Sequence, residues 1–504
     1  MPLLNSIIVY IMKNRQKRIH KFIDAPLKTQ ERTLEHLIQK ASATEFGIEY
    51  GFNDIKSYDD FKKKIPLQSY EDFFPWIERN LKGEQNLLWP TKINWFAKSS
   101  GTTNDKSKYI PVSKEALFNC HYRAGKDILS FHCKEFPNTK IFTGRSLTLG
   151  GSHEINPLDK DSYIGDLSAI LIDNLPYWVR RMRSPSRAVT FSGKWEEKID
   201  KMAEETIHQN ITSISGVPSW TMVFFKKVLE KAGKKNIEEV WPNLEMYMHG
   251  GIKLQPFHEQ MNAFFPSKKL KCIEIYNASE GFFGIQPQNS INDFLLMLDY
   301  GIFYEFMPYE EFNQKEPKTI TLSDVEKGKT YAVVISTNAG LWRYQLGDTI
   351  KFTSTQPHRF VIDGRTKQFI NVFGEELMVS NADKAIEIAA EKCNVNVTEY
   401  SAAPVFFKEN KSGAHEWIIE FENVPADLTK FNYCLDNALK SLNSDYETKR
   451  YQDMILRAPQ IIAVKKGTFY EWLKSKNKLG GQNKIPRLNN DRIWFEEIKA
   501  FIEK

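Results

Sequence analysis

The pattern of apolar and polar positions changes character along the chain. Residues 1–90 carry apolar side chains at helical spacing, and the helix expected over 70–81 should kink or split at Pro75, which lacks the amide that a helix interior needs. Farther on, short β-rich runs alternate with helical patterns, such as the run 211–215 before a helix over 220–231. Alternation of this kind predicts α/β layers, in which helices cover a sheet.

Two later changes in the pattern divide the chain into domains. Between 294 and 362 the runs are β-rich and separated by turns, which predicts an antiparallel β subdomain within the large domain. The expected strands there include 319–322, 341–346 and 349–353. After Gly364 the pattern resets, and a helix capped by Ser380 opens a separate small α+β unit. We therefore expect a large N-terminal domain over 1–363, a hinge at 364–366 and a small, mobile C-terminal domain over 367–504.

Polar turns that contain glycine follow two of the expected strands. The run 244–248 ends at His249-Gly250-Gly251, and the run 273–276 enters the turn Asn277-Ala278-Ser279-Glu280-Gly281. Ligands of α/β proteins bind at the carboxyl ends of strands, where such turns cluster. The sequence therefore predicts a ligand site formed by these turns.

A third turn, after Trp95, is dense in hydroxyl groups. It contains Ser99, Ser100, Gly101, Thr102 and Thr103, followed by Lys108. Hydroxyls and free backbone amides suit phosphate oxygens, glycine permits close approach, and a lysine supplies positive charge. A polar surface loop is the alternative, because the G-x-x-x-x-G-K-[ST] pattern of a P-loop is absent. Ser113 is expected to cap the helix that follows.

Composition narrows the class of protein. The 504 residues carry a net charge of +6 without a long basic run, which argues against nucleic-acid binding. Five cysteines without a C-x-x-C pair argue against a disulfide framework and indicate a reducing cytoplasm. No run approaches the ~20 apolar residues of a membrane span. The apolar N-terminal segment is expected to be an amphipathic helix packed on the body, with docking to a membrane surface as the alternative.

Six motifs, taken together, resemble one family. They are WFAKSSGTT from Trp95, VWPNLEMYMHGG from Val240, YNASEGFFGIQ from Tyr276, TNAGLWRYQLGDTIKF from Thr337, GRTK from Gly364 and GGQNKIPR from Gly480. Their order and spacing resemble the adenylate-forming enzymes, and more closely the auxin-responsive acyl acid amido synthetases, across nearly the whole chain. The resemblance implies that ATP and a carboxylic acid form an acyl-adenylate, from which an amino acid displaces AMP to give an amide. It also implies Mg²⁺ as a cofactor.

The resemblance assigns roles to particular residues. The nucleotide-binding residues that it implies are Ser99, Ser100, Gly101, Thr102, Thr103, Lys108, Gly250, Gly251, Tyr276, Ser279, Tyr344, Asp348 and Arg365. Tyr276 would pack on adenine, and Asp348 would accept both ribose hydroxyls. Glu280 would be a catalytic carboxylate and would bind magnesium, which prefers oxygen ligands. Lys484, on the mobile GGQNKIPR loop, would stabilise charge as the acyl–oxygen bond forms. Gln345 departs from the pattern, because many relatives carry arginine there.

The acyl pocket is less closely specified. Its candidates are Tyr122, Arg123, Val217 and Trp220, while His121, His153 and His249 lack metal-ligand spacing and are expected to be structural or substrate-lining. Neither the acid, the amine nor the oligomeric state follows from the sequence. Two alternatives to amide formation stay open: an enzyme that passes the acyl group to a thiol of coenzyme A or a carrier protein, and a catalytically silent binding protein of the same fold.

Overall fold

The computed structural model describes residues 2–99, 108–192, 195–251, 254, 258–267, 270–288, 292–312, 314, 316–365, 369–370, 375, 377–406, 413–450, 456–476, 478, 485–489 and 492–503. These residues form two compact units. The first contains the chain up to Leu346 together with Lys351–Val361. The second contains Gly347–Ile350 and most of the chain from Ile362 onward.

The N-terminal part of the first unit is helical. Its helices are α1 (Pro2–Asn14), α2 (Gln16–Asp24), α3 (Pro26–Ala41), α4 (Glu45–Glu49), α5 (Tyr58–Lys64) and α6 (Tyr70–Leu81). The helix is not split at Pro75, because α6 continues through it. A capping box between Ser69 and Asp72 holds its first turn, and buried Phe73 and Ile77 anchor one face to the core. These contacts offset the one helical hydrogen bond that proline cannot donate.

Alternating strands and helices make up the rest of the first unit. In chain order they are β1 (Trp95–Ser99), β2 (Lys108–Val112), α7 (Tyr122–Glu135), β3 (Arg145–Thr148), β4 (His153–Ile155), β5 (Tyr163–Gly165), α8 (Leu167–Asp173), α9 (Tyr177–Arg180), β6 (Arg183–Ser184), α10 (Arg187–Thr190), α11 (Trp195–Thr206), β7 (Ile211–Ser215), α12 (Pro218–Ala232), α13 (Ile237–Val240), β8 (Met246–Gly250), α14 (His258–Phe264), β9 (Lys271–Ala278), β10 (Gly281–Ile285), β11 (Phe294–Leu296), β12 (Ile302–Pro308), β13 (Thr330–Thr337), β14 (Tyr344–Thr355) and β15 (His358–Arg365).

Eleven of these strands form one sheet in the order β12-β13-β14-β15-β11-β10-β9-β8-β7-β3-β6. The half from β6 to β9 is parallel, and the pairs from β9 to β11 and between β12 and β13 are antiparallel. The expected antiparallel strands are therefore continuous with the α/β layers. Two details differ from expectation. Segments 341–346 and 349–353 belong to the single strand β14, which starts at Tyr344, and 319–322 contributes only the bridge of Ile320 to Phe306.

A second, four-stranded sheet in the order β2-β1-β5-β4 carries the hydroxyl-rich loop. β1 and β2 are antiparallel, and Ser99 pairs with Lys108 across them. Ser113 accepts a hydrogen bond from the amide of Ala116, as expected for a cap. The helix that Ser113 caps begins with a π-helical turn over Ala116–His121 and continues as α7.

Long-range polar contacts fix the N-terminal helices to the rest of the first unit. Gln30 of α3 donates from Nε2 to the carbonyls of Leu298 and Ile302 at 2.9 and 3.0 Å, and its Oε1 accepts from the amide of Tyr304 at 2.8 Å. The expected packing of the first helix is confirmed, since the carbonyl of Met12 accepts from Ser130 on α7. No described helix is long and apolar enough to cross a membrane.

The second unit is a smaller α+β arrangement. Its elements are β16 (Phe369–Ile370), β17 (Leu377–Met378), α15 (Val379–Cys393), β18 (Val397–Phe406), β19 (Gly413–Phe421), α16 (Leu428–Leu442), α17 (Ser444–Lys449), β20 (Gln460–Val464), α18 (Thr468–Ser475) and α19 (Ile493–Ile502). The strands β18, β19 and β20 form one sheet. The buried residues of α15 and α16 belong to one hydrophobic core of this unit, and those of α18 and α19 belong to another. Ser380 is not the cap of α15. It lies inside the helix, and the side chain of Asn381 accepts from the amide of Met378 instead.

Candidate active site

The β1–β2 hairpin positions the base of the hydroxyl-rich loop. Ser100, Gly101, Thr102 and Thr103 lie outside the described residues, as does the side chain of Ser99. Lys108, at the start of β2, is half-buried, and its Nζ lies 5.2 Å from the centre of the Tyr70 ring. This is the distance of a cation–π contact, which places a positive charge next to the loop.

Tyr70 links the hairpin to α6. Its hydroxyl accepts a hydrogen bond from the amide of Tyr109 at 2.8 Å. Burial raises the pKa of Tyr70 to about 12, and the negative charge of Glu280 acts in the same direction. Tyr70 is therefore a neutral phenol between the strand that carries Lys108 and the turn that carries Glu280. The local sequence does not reveal this position, since nothing in the helical pattern separates Tyr70 from a core aromatic residue.

Glu280 lies in the turn between β9 and β10. Its half-buried carboxylate accepts from the hydroxyl of Tyr344 at 3.5 Å, the outer limit of a hydrogen bond. Burial raises the pKa of Tyr344 well above its ordinary value, and the charge of Glu280 adds to the effect. The backbone around Tyr344 is held by Gln68, whose amide donates to the carbonyl of Arg343 and whose carbonyl accepts from the amide of Gln345. Lys108, Glu280 and Tyr344 are thus brought together around Tyr70.

Ser279 precedes Glu280 in the same turn. Only 4% of Ser279 is exposed, and its hydroxyl has no hydrogen-bond partner among the residues that the structure describes. A buried hydroxyl without a partner costs free energy, of the order of 1–3 kcal/mol. A polar ligand at the β9–β10 turn would remove that cost.

The β8 turn has a conformation that requires glycine. A side chain on Gly250 would place its Cβ 2.5 Å from the carbonyl oxygen of Ile275 on β9, and Gly251 has φ +85°. Close strand packing and a left-handed turn therefore account for both glycines, whose role toward a nucleotide stays a prediction. His249 beside them is buried, and burial lowers its pKa to about 4, so the ring is neutral near pH 7.

Tyr276 is part of an aromatic cluster. Its ring is 6% exposed and lies 5.0, 6.2 and 5.9 Å from the rings of Phe283, Phe294 and Phe360. These contacts join β9 to β10, β11 and β15. Stacking of adenine on Tyr276 stays a prediction, and it requires access to the small exposed part of the ring.

The remaining predicted nucleotide and catalytic residues are described only in part. Asp348 lies on β14 directly after Gly347, which has φ +87°, and it is 7% exposed. The strand β14 runs through this position without interruption. The side chain of Arg365 and all of Lys484 lie outside the described residues. The described residues gather no group of three potential metal ligands, and Glu280 supplies a single carboxylate.

The acyl-pocket candidates fall into two pairs. On α7, the hydroxyl of Tyr122 donates to the carbonyl of Leu171 at 2.8 Å, and Arg123 donates to the carbonyl of Asp299 with the carboxylate of Asp299 3.8 Å away. Arg123 is therefore committed to a structural contact. Val217 and Trp220 lie at the start of α12, where β7 ends.

Models of one family match most of the chain. The GH3 family N-terminal domain matches residues 15–270, the GH3 family central domain matches 295–365, and the GH3 family C-terminal domain matches 380–493. The central match ends at 365 and the C-terminal match begins at 380, so residues 366–379 lie between them.

Two named proteins are similar to this chain over nearly its whole length. The chain is 24% identical to the indole-3-acetic acid-amido synthetase GH3.3 of Arabidopsis thaliana, over 91% of the chain and 88% of that protein. It is 23% identical to the jasmonoyl–L-amino acid synthetase JAR4 of Nicotiana attenuata, over 91% of the chain and 90% of that protein.

Solved structures share the fold. GH3.15 acyl acid amido synthetase superposes with a TM-score of 0.78 at 16% identity and covers 97% of this chain and 96% of its own. A 2-hydroxyisobutyryl-CoA ligase in the postadenylation state superposes with a TM-score of 0.58 at 12% identity, covering 94% of this chain and 92% of its own. The fold is that of the adenylate-forming enzymes.

Proposed function

The chain belongs to the GH3 family, and we propose on that basis that it is an ATP-dependent acyl acid amido synthetase. It activates a carboxylic acid as an acyl-adenylate and transfers the acyl group to the amine of an amino acid. The observation that carries this proposal is the cluster of Lys108, Glu280 and Tyr344 around Tyr70, built from motifs that lie far apart in the chain.

The first half-reaction joins the acid to the nucleotide. A carboxylate oxygen of the acid attacks the α-phosphorus of ATP, the bond to the β-phosphate oxygen breaks, and pyrophosphate leaves with the electron pair. Lys108 offers positive charge beside the hydroxyl-rich loop, where the polyphosphate would lie. Ser279 offers a buried hydroxyl that lacks a described partner. Lys484 would stabilise the charge on the reacting oxygens.

Magnesium fits the donor set at Glu280. Mg²⁺ is commonly held by one or two protein carboxylates together with substrate phosphates, and it shields phosphate charge during displacement. Glu280 presents one such carboxylate, and the hydroxyl of Tyr344 points to its Oε1. The high pKa of Tyr344 keeps this hydroxyl protonated, so that it orients the carboxylate as a donor. We propose that Glu280 is the magnesium-binding residue.

The second half-reaction releases AMP. The amine nitrogen attacks the acyl carbon, a C–N bond forms, the bond to the AMP oxygen breaks, and the amine loses a proton. We propose that the domain over 367–504 turns about the hinge at 364–366 between the two half-reactions, so that Lys484 serves adenylation and then leaves. All five cysteines are free thiols, which supports a reducing, cytoplasmic location for this chemistry.

A screen of carboxylic acids against amino acids tests the proposal. Pyrophosphate release reports adenylation, and mass spectrometry identifies an amide, a thioester or neither as the product. Amide and AMP in equal amounts are expected. Discharge of the adenylate only by coenzyme A or a carrier thiol would favour the thioester ligase. The absence of pyrophosphate release with every acid would favour a silent binding protein.

A further inference from the structure

Arg183 is a guanidinium without a counter-ion at the edge of the parallel half-sheet. It opens the two-residue strand β6, which pairs with β3 through Ser146 and Arg183. Its Nη2 donates to Oγ1 of Thr148, the last residue of β3. Its Nε is buried, and no described atom accepts from it.

The charge of this guanidinium is also uncompensated. Burial lowers the pKa of Arg183 to about 10, and Tyr122 is the one titratable group in the described chain whose charge opposes that shift. No carboxylate forms an ion pair with Arg183 among the residues that the structure describes. A buried cation without an anionic partner is costly, which is the condition that a bound anion relieves.

The groups next to the guanidinium of Arg183 on the sheet are polar. Thr148 Oγ1 lies 3.0 Å from the hydroxyl of Ser215, the last residue of β7. Arg183 begins β6, but its side chain reaches Thr148, so that Arg183, Thr148 and Ser215 form a polar row at the carboxyl ends of β3 and β7. Each of the three is half-buried and can contact a ligand. Gly216 and Val217, which lead into α12, follow directly.

The order of strands separates this row from the site of adenylation. β6 and β9 are four strand spacings apart, about 19 Å at ~4.8 Å per spacing. Glu280 follows β9 directly, and the reacting carboxylate must lie near it. An arginine side chain does not span that distance, so a group bound at Arg183 would not be the carboxylate that reacts with ATP.

We propose that Arg183 binds a second carboxylate of the acyl substrate, so that the acid is a dicarboxylic acid activated at the end away from β6. The proposal rests on the proposed function and specifies its substrate class. The planar fork of a guanidinium matches the two oxygens of a carboxylate, and the Nε–H without a partner is one of the donors that this geometry uses. Thr148 fixes the orientation of the guanidinium by accepting a hydrogen bond from Nη2 of Arg183.

Paired acids test the assignment. Adenylation is measured as pyrophosphate release with straight-chain and aromatic dicarboxylic acids and with monocarboxylic acids of equal length. We expect the parent to prefer dicarboxylic acids in kcat/KM, and Arg183→Gln to lower that preference about 10- to 100-fold, the effect of losing a charged hydrogen bond. The loss should appear in KM rather than kcat. Arg183→Lys, which keeps the charge without the fork, should lie between the two.

The control is Arg181→Gln, which removes an exposed arginine two residues away and should keep the parent's preference. Calorimetric titration of the same acids without ATP measures binding of the acid separately from catalysis. This measurement can also be made if Arg183→Gln is less stable than the parent. An equal preference of the parent for both classes of acid, or an unchanged preference in Arg183→Gln, would overturn the proposal. Pyrophosphate release from monocarboxylic acids in either case would leave the amido synthetase assignment standing.

Discussion

The hydroxyl of Tyr344 lies 3.5 Å from Oε1 of Glu280, although 64 residues separate them in the chain. Tyr344 is fully buried and remains protonated, because burial and the charge of Glu280 both raise its pKa. The hydroxyl is therefore a fixed donor that limits the rotation of the carboxylate. This hydrogen bond connects the motifs YNASEG and WRYQLGD, whose contact does not follow from their order in the sequence.

Replacing Tyr344 by phenylalanine should weaken the response to magnesium. The change removes a weak hydrogen bond worth about 1 kcal/mol, which corresponds to roughly a 5-fold higher magnesium requirement. The measurement is ATP–pyrophosphate exchange over a range of Mg²⁺ concentrations. Tyr304→Phe is the control, since Tyr304 is also buried but donates to the carbonyl of Met297. A shift of the same size in both variants would contradict a specific role for Tyr344.

Glu280→Gln should abolish most of the activity and change its metal dependence. The substitution keeps the shape of the side chain and removes the charge that would hold magnesium, and we expect exchange to fall about 100-fold or more. Circular dichroism should show an intact fold, because Glu280 is only half-buried. An unchanged rate with an unchanged magnesium requirement would show that the metal is held elsewhere.

Asp348→Ala should weaken ATP binding. The two ribose hydroxyls would lose their acceptor, and we expect about 3 kcal/mol, or roughly 100-fold, in the dissociation constant measured by calorimetry. Asp348→Asn, which keeps one oxygen, should show a smaller loss. If Asp348→Ala binds ATP like the parent, another residue accepts the ribose hydroxyls.

Stability should fall in acid because of His249. Burial lowers its pKa from 6.5 to about 4, so the unfolded state binds a proton between these values that the folded state does not. The free energy of unfolding therefore drops as pH falls from 6.5 to 4, with His249 contributing about 1.4 kcal/mol per pH unit. The free energy of unfolding of His249→Gln, measured by urea unfolding at each pH, should change less steeply with pH by that amount. The exposed His20→Gln is the control and should keep the parent's slope.

Lys484→Ala should separate the two half-reactions. We expect normal ATP binding and adenylation slowed about 100-fold or more, because charge at the reacting oxygens is no longer stabilised. A supplied acyl-adenylate should still react with amine at close to the parent's rate. Single-turnover kinetics measures both steps, and equal damage to both would contradict the movement of the C-terminal domain between them.

Elements with clear periodicity were predicted well from the sequence. The expected strand 211–215 coincides with β7, and the expected helix 220–231 lies within α12. Long-range contacts account for the differences. Pro75 is tolerated because α6 is capped and packed, and the stretch before Tyr344 is not strand because Arg343, at φ +44°, turns inward to pair with buried Glu305.

The motifs located the candidate site, but its supporting residues came only from the structure. Tyr70 and Arg183 carry no signal in local sequence. Tyr70 matters because the amide of Tyr109 donates to its hydroxyl, and Arg183 because the strand order places β6 beside β3. Contacts of this kind depend on the register and order of distant elements, which a pattern of apolar and polar positions does not encode.

Gln30 has a consequence for synthesis on the ribosome. The three backbone groups to which its side chain bonds lie 268 to 274 residues later in the chain. At about 5–20 residues per second, α3 waits roughly 15–55 s after its own emergence for these partners. During that interval the apolar face of α3, with Leu34 and Leu37, lacks the strands β12 and β13 against which the helix packs in the folded protein. The nascent chain therefore presents a long-lived target for holding chaperones, and α3 can complete its docking only after these central strands have been made.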